Sequence, residues 1–263
     1  MSVMMLVAFL FLKTGEKFAT QETAAPTVGA FLAVAGKGMD GAEFAPQVMN
    51  DPAKAVEFVA SKKPEFGIVT PGFYLAYGKA LEMRPLLEVR RQKVESERFV
   101  LVMRKNVGET IDAAKGKVIA TTLSAEERYV KGVILQDKLG AEARLKAITD
   151  VEAAAMDLAE GAKDAAEAVL MEEGAWKAIE KDEELGTKLR VVFRSDDLPC
   201  ALLVAFRAAC DCPKVAKLQT AYKNIQGTDD GKQALASIRV EKFEDVNAER
   251  LKKAEKLFLG QSR

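Results

Sequence analysis

Short apolar runs bounded by turn residues alternate with stretches of helical spacing along most of this chain. Strands joined through crossover helices produce that pattern, so the chain is committed to an α/β architecture with mainly parallel sheets. The first run, Met4 to Leu12, reads as a fully buried strand ending in the turn Thr14-Gly15-Glu16. Helical spacing follows from about Phe18 to Gly36, with Pro26 expected as an interruption or a helix start and Gly36, Gly38 and Gly41 marking the end. A short strand near Glu43 to Val48 leads to Asn50-Asp51-Pro52, an N-cap followed by proline in the first turn. The helix from Ala53 to Lys62 puts Ala55, Val56 and Val59 on one face, and Pro64 stops it. Phe66-Gly67-Ile68-Val69 is then a buried strand that runs into Thr70-Pro71-Gly72 and a helical Phe73 to Tyr77.

A second set repeats the alternation. Leu86 to Arg91 and Phe99 to Met103 read as strands, then Lys117 to Ala120, a helix Ala125 to Leu139, and a strand Arg144 to Ile148. A helix Val151 to Glu160 ends at Gly161, and strands Ala165 to Met171 and Leu189 to Phe193 flank a short helix Gly174 to Lys181. After Pro199 comes one more apolar run, Ala201 to Phe206; the tail from about Val215 shows only helical patterns. No Pro/Ser-rich linker separates the parts, so two tightly joined lobes are expected. The first would hold residues 1–97 and 207–263 and the second residues 98–206, with the runs at Phe99 and Ala201 as two crossing hinge strands.

Composition decides what such a frame does. The 263 residues contain no histidine, which excludes Ser-His-Asp and Cys-His catalysis and any histidine-containing zinc site. Lys and Arg number 39 and so do Asp and Glu, a balance that leaves no broad basic field for nucleic acid. No Walker or Rossmann glycine pattern occurs. Three cysteines make no disulfide scaffold: a strand at ~3.3 Å per residue would hold Cys200 and Cys210 too far apart to bridge. Cys210-Asp-Cys212 could chelate a soft metal but has no fourth thiol or histidine to join it, and the three thiols are read as structural or incidental. The apolar start, Met1 to Leu12, is shorter than the ~18 residues of a membrane span and lacks a basic n-region. A binder, with no enzyme activity, cofactor or metal, is the expectation.

Four stretches are similar to the type II periplasmic solute-binding fold, and most to the phosphate/phosphonate-binding proteins of ABC transporters. They are Asp51 to Val56 followed by Phe66 to Tyr74, then Glu97 to Lys105, then Ala114 to Ala120, and finally Leu189 to Ser195 through Pro199. The resemblance implies two lobes, each a mainly parallel sheet flanked by helices. It also implies a small polar ligand, phosphate- or phosphonate-like, captured in an interlobe cleft by hinge closure. The partner would be a membrane permease or sensor and the location periplasmic, with any leader lying outside this sequence. The alternative is an interaction or structural module on the same fold that no longer binds small molecules.

In open α/β sheets, ligands meet the carboxyl ends of strands and the helix N-termini beyond them. Three turns hold such positions. In Lys13-Thr14-Gly15-Glu16-Lys17, the Thr14 hydroxyl and the Lys17 ammonium suit an anion. In Thr70-Pro71-Gly72-Phe73-Tyr74, Thr70 suits an N-cap, Gly72 permits close approach and Tyr74 adds a hydroxyl on a flat apolar face. Thr121-Thr122-Leu123-Ser124 carries the hydroxyls of Thr121, Thr122 and Ser124, while Ser124 and Glu127 match a capping box that would consume N–H groups. Relatives usually carry a glycine in this turn, and this sequence does not. Glu172, paired with Glu173, would accept an amino group or serve as the acidic start of the next helix. Trp176 would line the cleft or cover it.

Overall fold

The structure, a computed structural model, describes residues 6–16, 19–39, 42–92, 94, 97–140, 142–209 and 213–260. Met4, Lys17, Phe18, Gly41, Cys210 and Cys212, all named above, lie outside them. In chain order the regular elements begin β1 (Leu6–Leu12), α1 (Gln21–Lys37), β2 (Glu43–Met49), α2 (Pro52–Lys62), β3 (Phe66–Val69), α3 (Pro71–Tyr77) and β4 (Arg84–Arg91). Then come β5 (Phe99–Arg104), β6 (Val118–Thr121), β7 (Arg144–Ala147), α4 (Val151–Glu160), β8 (Ala168–Glu172), α5 (Glu173–Ile179), α6 (Glu183–Lys188) and β9 (Leu189–Arg194). The chain ends through β10 (Ala201–Ala205), α7 (Lys214–Asn224), α8 (Asp229–Ser237), β11 (Val240–Glu244) and α9 (Ala248–Phe258).

The chain divides into two units, 1–94 with 199–248 and 95–198 with 249–263. In the first, one sheet has the order β11-β4-β10-β3-β1-β2. β1 pairs in parallel with β2 and β3, and β10 lies antiparallel between β3 and β4. In the second, the order is β7-β6-β8-β5-β9, with β6 parallel to β7 and β8 and with β5 antiparallel between β8 and β9. β5 and β10 are therefore internal to separate sheets and neither crosses. The chain passes from unit to unit at 94/95, 198/199 and 248/249. The third passage places α9 with the second unit, where the sequence reading kept the whole tail in the first lobe.

Local chemistry explains the elements. Asp51 caps α2 by accepting from Ala53 N–H at 2.9 Å, and Pro52 opens the helix where no N–H is needed. Pro26 does not interrupt α1. Pro26 and Glu22, whose carbonyl it deprives of a helix donor, are both exposed, so water can serve that carbonyl and the cost is small. All four residues of β3 are buried, and the absent side chain of Gly67 matters there: a Cβ would lie 2.8 Å from the Leu10 carbonyl and 3.1 Å from Phe206. The first unit's core centres on Tyr222, whose ring packs edge-on to Phe243 at 4.9 Å and to Phe31 at 5.6 Å.

Two segments differ from the sequence reading. The tail holds a strand, β11, whose register shifts between Val240 and Lys242. That bulge puts the buried Val240 and Phe243 three residues apart, which mimics helical spacing. The helix expected over 125–139 is instead a 3-10 turn, Ser124–Glu126, followed by a π-helical turn, Tyr129–Ile134. Gln136 and Asp137 then adopt left-handed backbone at φ 53° and 55°.

Candidate ligand-binding site

In the first unit, the parallel pairing of β1 with β3 sets Phe11 opposite Ile68, so the turns after both strands leave the sheet at one edge. β2 ends at the same edge, where Lys13 N–H donates to the Met49 carbonyl at 2.9 Å. Gly15 takes φ 80°, a conformation that costs glycine little, and Asn50 Nδ2 donates to the Glu16 carbonyl at 3.1 Å. The turn is thus shaped by backbone bonds and one amide. Within it Thr14 is 5% exposed, and its Oγ1 has no hydrogen-bond partner among the described residues. A buried hydroxyl in that state costs about 1–3 kcal/mol. Lys13 reaches Glu16 at 3.7 Å in an exposed pair.

Thr70 caps α3 as expected, its Oγ1 accepting from Phe73 N–H at 3.3 Å. Gly72 is buried, Tyr74 is half-buried on the helix, and Phe73 packs inward against Tyr77. The structure therefore brings Thr14, Thr70, Gly72 and Tyr74 to one sheet edge. The same edge carries Arg90, which the sequence reading passed over as an ordinary strand residue. Its Nε meets Glu244 at 3.1 Å and its Nη1 donates to Cys200 Sγ at 3.4 Å. A charged pair, Glu88 and Arg90, inside the run Leu86 to Arg91 was the available signal.

In the second unit, Thr121 ends β6 and Glu172 ends β8, two neighbouring parallel strands. The Thr121 side chain is 1% exposed, and its Oγ1 accepts from Leu123 N–H at 3.2 Å, which folds the turn that carries Thr122 and Ser124. The capping box is not formed. Leu123 holds the cap position with no side-chain bond, because the segment begins as a 3-10 turn and not as an α-helix. Glu127 pairs instead with Lys131 at 2.6 Å, and Glu126 is buried. Glu172 and Glu173 also part company. Glu172 is half-buried at the cap of α5 without a side-chain cap bond, whereas Glu173 pairs with Arg194. Trp176 is buried in the second unit's own core with Val100, Val169 and Met171. Among the described residues no three Cys, Asp or Glu side chains are grouped to hold a metal ion.

Both units thus present hydroxyl-bearing turns at the carboxyl ends of parallel strands, and comparison with known proteins fits that arrangement. A family model for the periplasmic substrate-binding protein of phosphonate ABC transporters matches residues 20–251. The chain belongs to this family. Among solved structures, XAC2383 from Xanthomonas citri, bound to chloride ion, superposes with a TM-score of 0.74 at 11% identity, covering 97% of this chain and 98% of that one. A binding-protein component of an ABC phosphonate transporter from Pseudomonas aeruginosa (PA3383) gives 0.67 at 12% identity, covering 97% and 86%. PhnD1 from Prochlorococcus marinus, in complex with methylphosphonate, gives 0.64 at 14% identity, covering 97% and 98%. At these identities the likeness is one of fold, and this phosphonate-family chain shares it over nearly its whole length. No curated protein matches the sequence. No helix among the described residues is long and apolar enough to cross a membrane.

Proposed function

We propose that this family member binds a small phosphonate- or phosphate-like oxyanion and passes it to a membrane permease outside the cytoplasm. The observation that carries the reading is the buried Thr14 hydroxyl, which lacks a hydrogen-bond partner among the described residues and lies just past the end of β1. An oxyanion supplies the acceptor that Thr14 needs, and a charge-assisted bond of that kind is worth about 1.5–3 kcal/mol. In the first unit Thr70, Gly72 and Tyr74 would contact the ligand beside Thr14, and Lys17, three positions later in the sequence, would offer it an ammonium group. In the second unit Thr122 and Ser124 would be the ligand-contacting hydroxyls, Thr121 shaping their turn and Glu172 accepting any amino group on the ligand. The pairing of Glu127 with Lys131 supports an anion, since that carboxylate is matched by a cation.

Isothermal titration with methylphosphonate, inorganic phosphate and an amino-acid panel tests this. Saturable binding of a phosphorus oxyanion, weakened in Thr14→Val, is the expected result. A folded protein that binds no phosphorus oxyanion, or binds one equally well in Thr14→Val, overturns it.

A further inference from the structure

The chain changes unit three times, at 94/95, 198/199 and 248/249. On each side of these passages the three segments are tied together within their own unit. In the second unit, Leu198 N–H donates to the Glu97 carbonyl at 2.9 Å, and Phe99 N–H donates to Ser195 Oγ at 3.0 Å. There Arg250 Nη1 donates to Asp197 Oδ2 at 2.8 Å, and Lys253 Nζ donates to Asp196 Oδ2 at 2.7 Å, which joins α9 to the segment 195–198. In the first unit, Arg90 links Glu244 to Cys200, and the fully buried Glu88 accepts from Asn247 N–H at 3.1 Å. Only Pro199 separates the tied Leu198 from the tied Cys200, and its φ is fixed by its ring.

We propose that each unit braces its own ends of the three connections, with Arg90 holding those of the first unit and Arg250 those of the second. The two guanidinium groups are singled out by burial. Arg250 is 14% exposed and Arg90 20%, whereas Lys253 is 61% exposed, and exposed pairs contribute little once salt screens them. Hinge motion is carried by a few element-terminal residues. A connecting segment whose ends are already held has less freedom to lose when a solute is captured, which favours binding without touching the solute. This last consequence rests on the solute-binding reading; the brace itself does not.

Hydrogen exchange followed amide by amide on the full chain without solute tests the brace. Arg250→Met and, as a charge-only change, Asp197→Asn should speed exchange at Phe99, Ser195 and Leu198 by about tenfold, leaving Ile68 unchanged. Lys253→Met should produce a smaller effect than either. Unchanged exchange at those three amides, or equal acceleration at Ile68, overturns the brace. Titration with methylphosphonate then tests its consequence: affinity in Arg250→Met should fall about three- to tenfold. Faster exchange with unchanged affinity overturns the link to capture. A wild type that ignores methylphosphonate counts against the solute reading, while exchange still decides the brace.

Discussion

Thr14 and Thr70 leave adjacent parallel strands at one sheet edge, three residues past Phe11 and two past Ile68, the paired positions of β1 and β3. Of the two hydroxyls, Thr70 already serves its helix cap, whereas Thr14 has no partner among the described residues. Replacing Thr14 by valine keeps the shape and deletes the hydroxyl. Thermal unfolding should stay unchanged or move upward, while the dissociation constant for methylphosphonate rises by about tenfold to a hundredfold. A calorimetric titration beside a melt separates the two effects.

Gly67 should not tolerate a methyl group. Its added Cβ would press on the carbonyl of Leu10 in β1 and on the buried ring of Phe206 just past β10. Gly67→Ala should cost about 1–3 kcal/mol, seen as a lower urea midpoint at unchanged slope.

Tyr222 offers the opposite change. Its ring is fully buried among Phe9, Phe31 and Phe243, and its hydroxyl has no partner among the described residues. Burial pushes the phenol well above its ordinary range. Tyr222→Phe keeps the ring packing and removes the stranded hydroxyl, so denaturant unfolding should show a gain of about 1 kcal/mol. A loss of stability in that variant would mean the hydroxyl is satisfied after all.

Acid should loosen the attachment of α9. The Lys253 ammonium bonded to Asp196 holds its carboxyl below the ordinary value of 3.8, with a further hydrogen bond from Gln136. A carboxyl with a depressed folded value adds stability above its unfolded value, and that stability is lost as pH falls through the folded one. Stability should therefore decline below about pH 4, and Asp196→Asn should flatten this part of the profile. Melting curves of both proteins from pH 6 to pH 2.5, roughly, give the comparison.

Where burial and turn chemistry coincided, the fold was legible in the sequence. Asp51-Pro52 opened α2, Gly161 ended α4 at φ 68°, and the uninterrupted apolar run at Phe66 marked β3. β11 was not legible, because its bulge replaced alternation by a spacing of three. The acids of the third turn were read through α-helical capping, but the backbone there winds as 3-10 and then π, so Ser124 and Glu127 never face each other as a box requires. Of the candidate site, the strand-end threonines could be named from turn chemistry alone. That Thr14 lacks a partner among the described residues could not, since it is a property of packing. Arg90 and Arg250 were equally hidden, their partners Glu244 and Asp197 lying far along the chain.

The placement of β10 has a consequence for how the protein is made. This strand fills the gap between β3 and β4, yet it follows the whole segment 95–198 in the order of synthesis. An emerging chain therefore displays β3 with an unpaired, wholly apolar edge until residue 205 has left the ribosome, and exposed edges of that kind recruit foreign strands. The second unit waits in turn for α9. Neither unit can close its core on an N-terminal fragment, so release of a truncated product, or a long pause before residue 205, leaves aggregation-prone chains in place of a folded half.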